Sequence, residues 1–286
     1  MLDLSHKADL VWLGRLVADV RVAAPEADFL VAGAQARDLL LMHAHGIETG
    51  RATEDVDLAF LVASWDEFMS LRERLLGSGK FITETQTLHK LRHTGIGKAR
   101  LDLIPFAGIE TDDRHISWPP NGEPVMNVIG FREAHAAAVQ VALPELQPVA
   151  VVALHALMLL KLSAWKDRRL QHPIGKDAHD IRLLLKTYLD AGNQERLYSE
   201  AAHLLDRDDF DYEVAGAWLL GYDAGNLLPT EETPGNAKDF YRTLLRAEVA
   251  AEMESTLIID MRTADPTAEV QLLRSLFEGF SAADTL

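Results

Sequence analysis

Apolar residues recur along this chain with two different periods, and the change from one to the other divides it. Leu10, Leu13, Val17 and Val20 fall on one face of a helix running from Ser5 to about Ala23, with Ser5 as its N-cap. The apolar run 29–32, which follows Pro25, reads as a buried strand ending at Gly33. A helix over 35–44 comes next and is stopped by Gly46. The polar loop 48–53 then leads into a β-type run over 56–62. Ser64-Trp-Asp-Glu67 has the form of a capping box, which opens a helix ending near Gly77. Three short runs, 81–85, 88–93 and 100–106, read as further strands of the same mixed sheet. Residues 107–147 are rich in Pro, Gly and turns, with one strand over 138–143.

The period changes after Pro148. Residues 149–168 predict one long helix and 176–188 another. The remainder reads as mostly helical, with a Pro/Gly-rich break at 228–235. The fold class expected is α+β: a mixed β-sheet with flanking helices over 1–147, then a helical domain over 148–286. No internal repeat is visible.

Composition adds several limits. The 286 residues are 48% hydrophobic and contain no cysteine, so disulfides and cysteine-ligated zinc are excluded. The longest nearly apolar run, 149–162, is interrupted by His155 and Lys161 and is too short to span a bilayer. The N-terminus lacks the basic and apolar regions of a signal peptide, and a cytoplasmic protein with no membrane partner is expected. Of the net charge of −16, residues 190–286 carry −13, with 7 basic and 20 acidic side chains. Such a chain is not a generic nucleic-acid binder, because neutralised phosphates supply most non-specific affinity. Residues 161–186 run the other way, with 7 basic and 3 acidic side chains. Lys90, Arg92 and Lys98 add to that basic content, which would suit an RNA end or another polyanion.

The chemistry sits in Phe29-Leu-Val-Ala-Gly-Ala-Gln-Ala-Arg-Asp38 and Arg51-Ala-Thr-Glu-Asp-Val-Asp57. Asp55 and Asp57 stand two apart where a strand begins, so both carboxylates project from one face, roughly 6–7 Å apart along the chain. Like charges held that close call for a cation, and Mg²⁺ takes carboxylate oxygens while sharing its other positions with water and phosphates. Gly33, between a strand and a helix, would leave backbone N–H groups open to a triphosphate. Asp102, between Leu101 and Leu103, must point to solvent or into a polar site, because burying it alone is expensive. The histidine pairs His43-x-His45 and His89-x-x-x-His93 have no obvious acidic partner, and zinc is not expected there. Arg37 and Asp38 suit local ion pairs or contacts near the turn.

A small-residue turn after a strand, Asp-x-Asp on the next strand and a single Asp on a later one resemble the polymerase-beta-like nucleotidyltransferase superfamily. More narrowly, Arg-x-Thr-x-Asp-hydrophobic-Asp at 51–57 is similar to the AbiEii/AbiGii-type nucleotidyltransferase toxins. Leu160-Lys-Leu-Ser-Ala-Trp-Lys-Asp-Arg-Arg169 and Gly175-Lys-Asp-Ala-His-Asp-Ile181 fit the same family, and the likeness spans 29–188. It implies transfer of a nucleotide from an NTP, with Mg²⁺ or Mn²⁺, to RNA (some members act on tRNA ends), protein or another acceptor, and a cognate antitoxin as partner. It implies metal binding by Asp55 and Asp57, joined by Asp102 near the attacking hydroxyl. The nucleotide falls to Gly33, Ala34, Arg37 and Lys161, with Asp180 in support.

The family's usual Gly-Gly or Gly-Ser is Gly33-Ala34 here, so a hydroxyl for the terminal phosphate is lost while the backbone N–H groups remain. Two other readings stay open: an antibiotic-modifying type of transferase with a cationic small acceptor, and an inactive interaction protein on the same fold. With Lys161 on the triphosphate tail, Lys161→Gln is expected to weaken NTP binding clearly and to change melting temperature little in the absence of nucleotide.

Overall fold

The computed structural model describes all residues except 51–52, 85–86, 98, 170–174, 209, 230–235 and 284–286. Its elements run β1 (Leu2–Asp3), α1 (Val11–Ala23), β2 (Asp28–Ala32), α2 (Gly33–Asp38), β3 (Asp55–Val62), α3 (Trp65–Gly77), β4 (Phe81–Thr83), β5 (Lys90–His93) and β6 (Arg100–Ala107). A small hairpin of β7 (His115–Ser117) and β8 (Val125–Asn127) follows, then α4 (Phe131–Ala136), β9 (Val139–Ala142) and β10 (Val149–Val151). The rest is helical: α5 (Leu154–Arg168), α6 (Lys176–Thr187), α7 (Ala202–Leu205), α8 (Tyr212–Leu227), α9 (Ala237–Ala250), α10 (Thr256–Met261) and α11 (Pro266–Ala282), with short tighter or wider turns between.

Among the described residues the main sheet has eight strands, in the order β1-β9-β10-β2-β3-β6-β5-β4. It is mixed, as expected: β1–β9, β10–β2 and β3–β6 are parallel, and the other neighbours are antiparallel. The chain divides into two compact units, one made of Met1–Thr111 with His115–Ala153, the other of Asp112–Arg114 with Leu154–Leu286.

Inside the first unit, Leu13, Leu16, Val17 and Val20 of α1 are buried, as their spacing predicts. Ser5 does not cap that helix. Its backbone N–H donates to Asp3 Oδ1 at 2.9 Å, and a 3₁₀ turn at Ala8–Leu10 precedes α1. Ser64 does cap α3, accepting from the N–H of Glu67 at 3.2 Å, while Glu67 reaches back to the N–H of Ala63. The helix expected over 35–44 starts at Gly33 and widens into a π-type turn at Leu39–His43.

The largest correction concerns 149–168. Val149–Val151 is strand β10, lying between β9 and β2, and the helix begins only at Leu154. A strand with neighbours on both sides carries no polar stripe, so the apolar run passes from strand to helix without a break in pattern. Strands at 81–83 and 90–93 are shorter than expected, and Thr85 lies outside the described residues.

In the second unit α8 and α11 pack at backbone distance. A Cβ on Gly221 would lie 2.0 Å from the carbonyl oxygen of Leu276, and one on Gly279 would lie 2.0 Å from that of Trp218. Only glycine permits that approach from both sides. Among the described residues no helix is long and apolar enough to cross a membrane.

Candidate active site

Strand β3 separates its side chains by alternation. Val56, Leu58, Phe60 and Val62 are buried, which leaves Asp55 and Asp57 on the opposite face. Strand β6 repeats the pattern, with Leu101 and Leu103 buried and Arg100 and Asp102 between them. The strands run parallel with Asp57 opposite Asp102 and Asp55 opposite Arg100. Residues opposite one another in neighbouring strands share a face, so all three carboxylates lie on one side of the sheet. Pro105 of β6 falls beyond the stretch paired with β5, where its missing N–H costs no ladder bond on that side.

The rung containing Asp57 and Asp102 continues outward. Ala32 of β2 stands opposite Asp57, and Lys90 of β5 stands opposite Asp102. Adjacent strands are about 4.8 Å apart, so two carboxylates and an ammonium form one short row. Lys90 Nζ lies 2.9 Å from Asp102 Oδ2. One rung along, Arg100 Nε lies 3.5 Å from Asp55 Oδ1 and 3.2 Å from Glu84 Oε1. Arg92 is opposite Arg100 and exposed. His89, its ring tilted against that of Trp118, is held below the usual histidine range by burial, an effect that Asp102 opposes and Lys90 reinforces.

Gly33 ties the turn to the carboxylates. Its φ is +61°, and a Cβ there would lie 1.8 Å from Asp57 Oδ2. Any other residue would strain the backbone and displace the carboxylate. Gln35 of α2 donates from Nε2 to the carbonyl of Thr53 at 3.0 Å, and Thr53 Oγ1 accepts from the N–H of Asp55 at 3.1 Å. These contacts fix the entry into β3. Ala34 is half-buried. Arg37 is wholly enclosed and donates from Nε and Nη2 to Asp38 Oδ1, at 2.8 and 2.7 Å. That is the local ion pair expected of these two residues. Arg51 of the motif lies outside the described residues.

Three carboxylates on one face offer the hard oxygen donors that Mg²⁺ or Mn²⁺ take, with Asp57 and Asp102 directly opposite. As the side chains stand, Asp102 is turned to Lys90 and Asp55 to Arg100. Among the described residues no three His, Cys, Asp or Glu side chains converge on a metal position. The histidine pairs go elsewhere: His93 Nε2 is 2.8 Å from Asp19 Oδ2, and His43 Nδ1 is 3.4 Å from Asp9 Oδ2.

The second unit holds the other expected residues. Lys161 Nζ of α5 lies 2.6 Å from Asp180 Oδ2 and 3.3 Å from Asp177 Oδ1, both on α6. Arg168 Nη2 adds a contact of 2.8 Å to Asp177 Oδ2. Asp180 is fully buried, so it faces the protein interior rather than water, while Asp177 keeps partial access to solvent. The basic stretch 161–186 is largely engaged within its own unit, since Arg182 pairs with Glu269, Lys186 with Glu213, and Lys166 sits over the Phe240 ring. Sequence reasoning missed the pairing of Lys90 with Asp102 and the roles of Gln35 and Thr53. Only the register between strands reveals the first.

A family model described as nucleotidyl transferase AbiEii toxin, type IV TA system, matches residues 16–273. That span extends well beyond the 29–188 of the sequence likeness and takes in α8, α9 and α10 and part of α11. No curated protein matches the chain at a significant level. Among solved structures, the chain is similar to ANT(2″)-Ia in complex with adenylyl-2″-tobramycin, at 18% identity and a TM-score of 0.35 over 66% of this chain and 95% of that one. It is also similar to an antigenic nucleotidyltransferase-like protein from Paracoccidioides brasiliensis, at 20% identity and a TM-score of 0.40 over 71% and 90%.

Proposed function

This chain belongs to the AbiEii nucleotidyl transferase toxin family, and on that premise we propose that it moves a nucleoside monophosphate from an NTP to an acceptor hydroxyl, with an RNA end as the acceptor. The observation that carries the reading is the register that sets Asp57 opposite Asp102 with Asp55 on the same face. A divalent cation held by Asp55, Asp57 and Asp102 would offset negative charge on the phosphate oxygens.

The chain's own groups do the rest. Gly33 keeps the turn close to Asp57, and Gln35 and Thr53 hold the start of β3 in place. Arg37 and Asp38 support that turn from inside. Asp102 Oδ2 receives the proton of the acceptor hydroxyl, whose oxygen bonds to the α-phosphorus as the bond to the pyrophosphate oxygen breaks. Lys90, Arg92 and Arg100 share the face of the carboxylates, which suits a polyanionic acceptor such as RNA. A cognate antitoxin is the protein partner that this family implies.

Incubation with each α-labelled NTP, Mg²⁺ and total RNA tests the reading. Label on RNA that is absent with Asp57→Asn supports it. Label on a small molecule or a protein moves the acceptor assignment, and no label with any NTP removes the transferase reading for this chain.

A further inference from the structure

We propose that Lys90 is the resident counter-ion of the carboxylate face: it holds Asp102 in the divalent-free protein and must leave before Asp102 can join Asp55 and Asp57 on a cation. This rests on the carboxylate reading above. Three observations carry it. Lys90 stands opposite Asp102 on the side away from Asp57, so its pull draws Asp102 away from the other two acids. The contact is close, with Nζ 2.9 Å from Oδ2. The lysine side chain is 38% exposed and that of Asp102 25%, so the ammonium can return to water with little loss.

Asp55 has a similar but looser partner in Arg100, which it shares with Glu84. The face thus carries Lys90, Arg92 and Arg100 against Asp55, Asp57 and Asp102. Without such cations, Asp57 and Asp102 would stand about one strand spacing apart as like charges. With them the apo sheet is stable, and a divalent ion competes with an internal cation for Asp102. Loading therefore depends on extra negative charge arriving with the ion, as a polyphosphate supplies. Lys90 is by this account a positioning residue that gates the site's affinity for metal.

Binding of Mn²⁺ to the full-length protein without nucleotide, followed by the electron paramagnetic resonance signal of free Mn²⁺, tests the proposal. Lys90→Met should bind Mn²⁺ roughly tenfold more tightly than the wild type, the scale expected when one opposing charge is removed beside a carboxylate. Lys90→Gln should do the same, and either variant suffices if the other does not fold. Lys90→Arg should retain the wild-type affinity, and Asp102→Asn added to Lys90→Met should remove the gain. Equal or weaker affinity in Lys90→Met and Lys90→Gln, with Asp57→Asn still lowering binding, overturns the proposal and leaves the carboxylate reading standing. If Asp57→Asn changes nothing in either background, the carboxylate reading falls and the proposal falls with it.

Discussion

The molecule contains two lysine–aspartate pairs of similar geometry and different character. On the sheet, Lys90 Nζ and Asp102 Oδ2 are 2.9 Å apart with side chains 38% and 25% exposed. In the helical unit, Lys161 Nζ and Asp180 Oδ2 are 2.6 Å apart with side chains 11% and 1% exposed. Distance does not distinguish them, but solvent does. The first pair can part because water takes back both charges, and exposed pairs contribute only about 0–1 kcal/mol. The second cannot part cheaply, because a lone charge left inside costs several kcal/mol. A lysine beside an aspartate can thus be a movable guard or a fixed strut, and burial decides which.

The comparison is broken most forcefully by removing one member of the buried pair. Lys161→Gln or Asp180→Asn should cost about 3–5 kcal/mol, a fall in melting temperature on the order of 10 °C, measured by calorimetry without nucleotide. This revises the expectation that Lys161→Gln leaves stability alone, since Asp180 would then keep a buried charge with less to offset it. Replacing both residues by apolar ones of like volume should restore most of the loss.

On the sheet the effect moves from stability to activity. Asp57→Asn should reduce nucleotide transfer by more than about a hundredfold, since even groups behind metal ligands cost 10–100-fold. Its melting temperature should shift by no more than about 2–4 °C, the scale of 1 kcal/mol. Gly33→Ala should destabilise by about 1–2 kcal/mol through its φ of +61°, and should also lower transfer, because the new Cβ displaces Asp57.

The smallest effect concerns pH. His155 of the helical unit is held below the usual histidine range by burial, partly countered by Asp223 and reinforced by Arg196. Asp223 also accepts from the Tyr188 hydroxyl and from both terminal nitrogens of Arg196. A depressed folded-state value favours the neutral ring, so the unfolded chain binds a proton first as pH falls. Stability should be full above about pH 6.5 and should decline as pH drops below it. His155→Gln should flatten that part of the melting-temperature profile.

Much of this was legible in the sequence, for reasons of period. The strands at β3 and β6 are long and alternate in their first halves, and the Ser64–Glu67 cap is a local signal. Asp55 and Asp57 share a face by spacing alone. Asp102 could not be placed relative to them without strand register, which depends on contacts 45 residues apart in sequence, as Asp57 and Asp102 are. Strand β10 was hidden because Val149–Val151 is as apolar as the helix behind it. The pairing of Asp180 was hidden because its partner Lys161 lies on another helix. Lys90 was visible as a basic residue, but its target was not.

The central claim is that Asp55, Asp57 and Asp102 form one site for a metal-bound NTP, and calorimetric titration of NTP with and without Mg²⁺ tests it most directly. Asp66, an exposed acid in the first turn of α3, supplies a control outside β3 and β6. The account predicts Mg²⁺-dependent binding to the wild type and to Asp66→Asn, and its loss in Asp57→Asn with the fold intact. Unchanged Mg²⁺-dependent affinity in Asp57→Asn would contradict it.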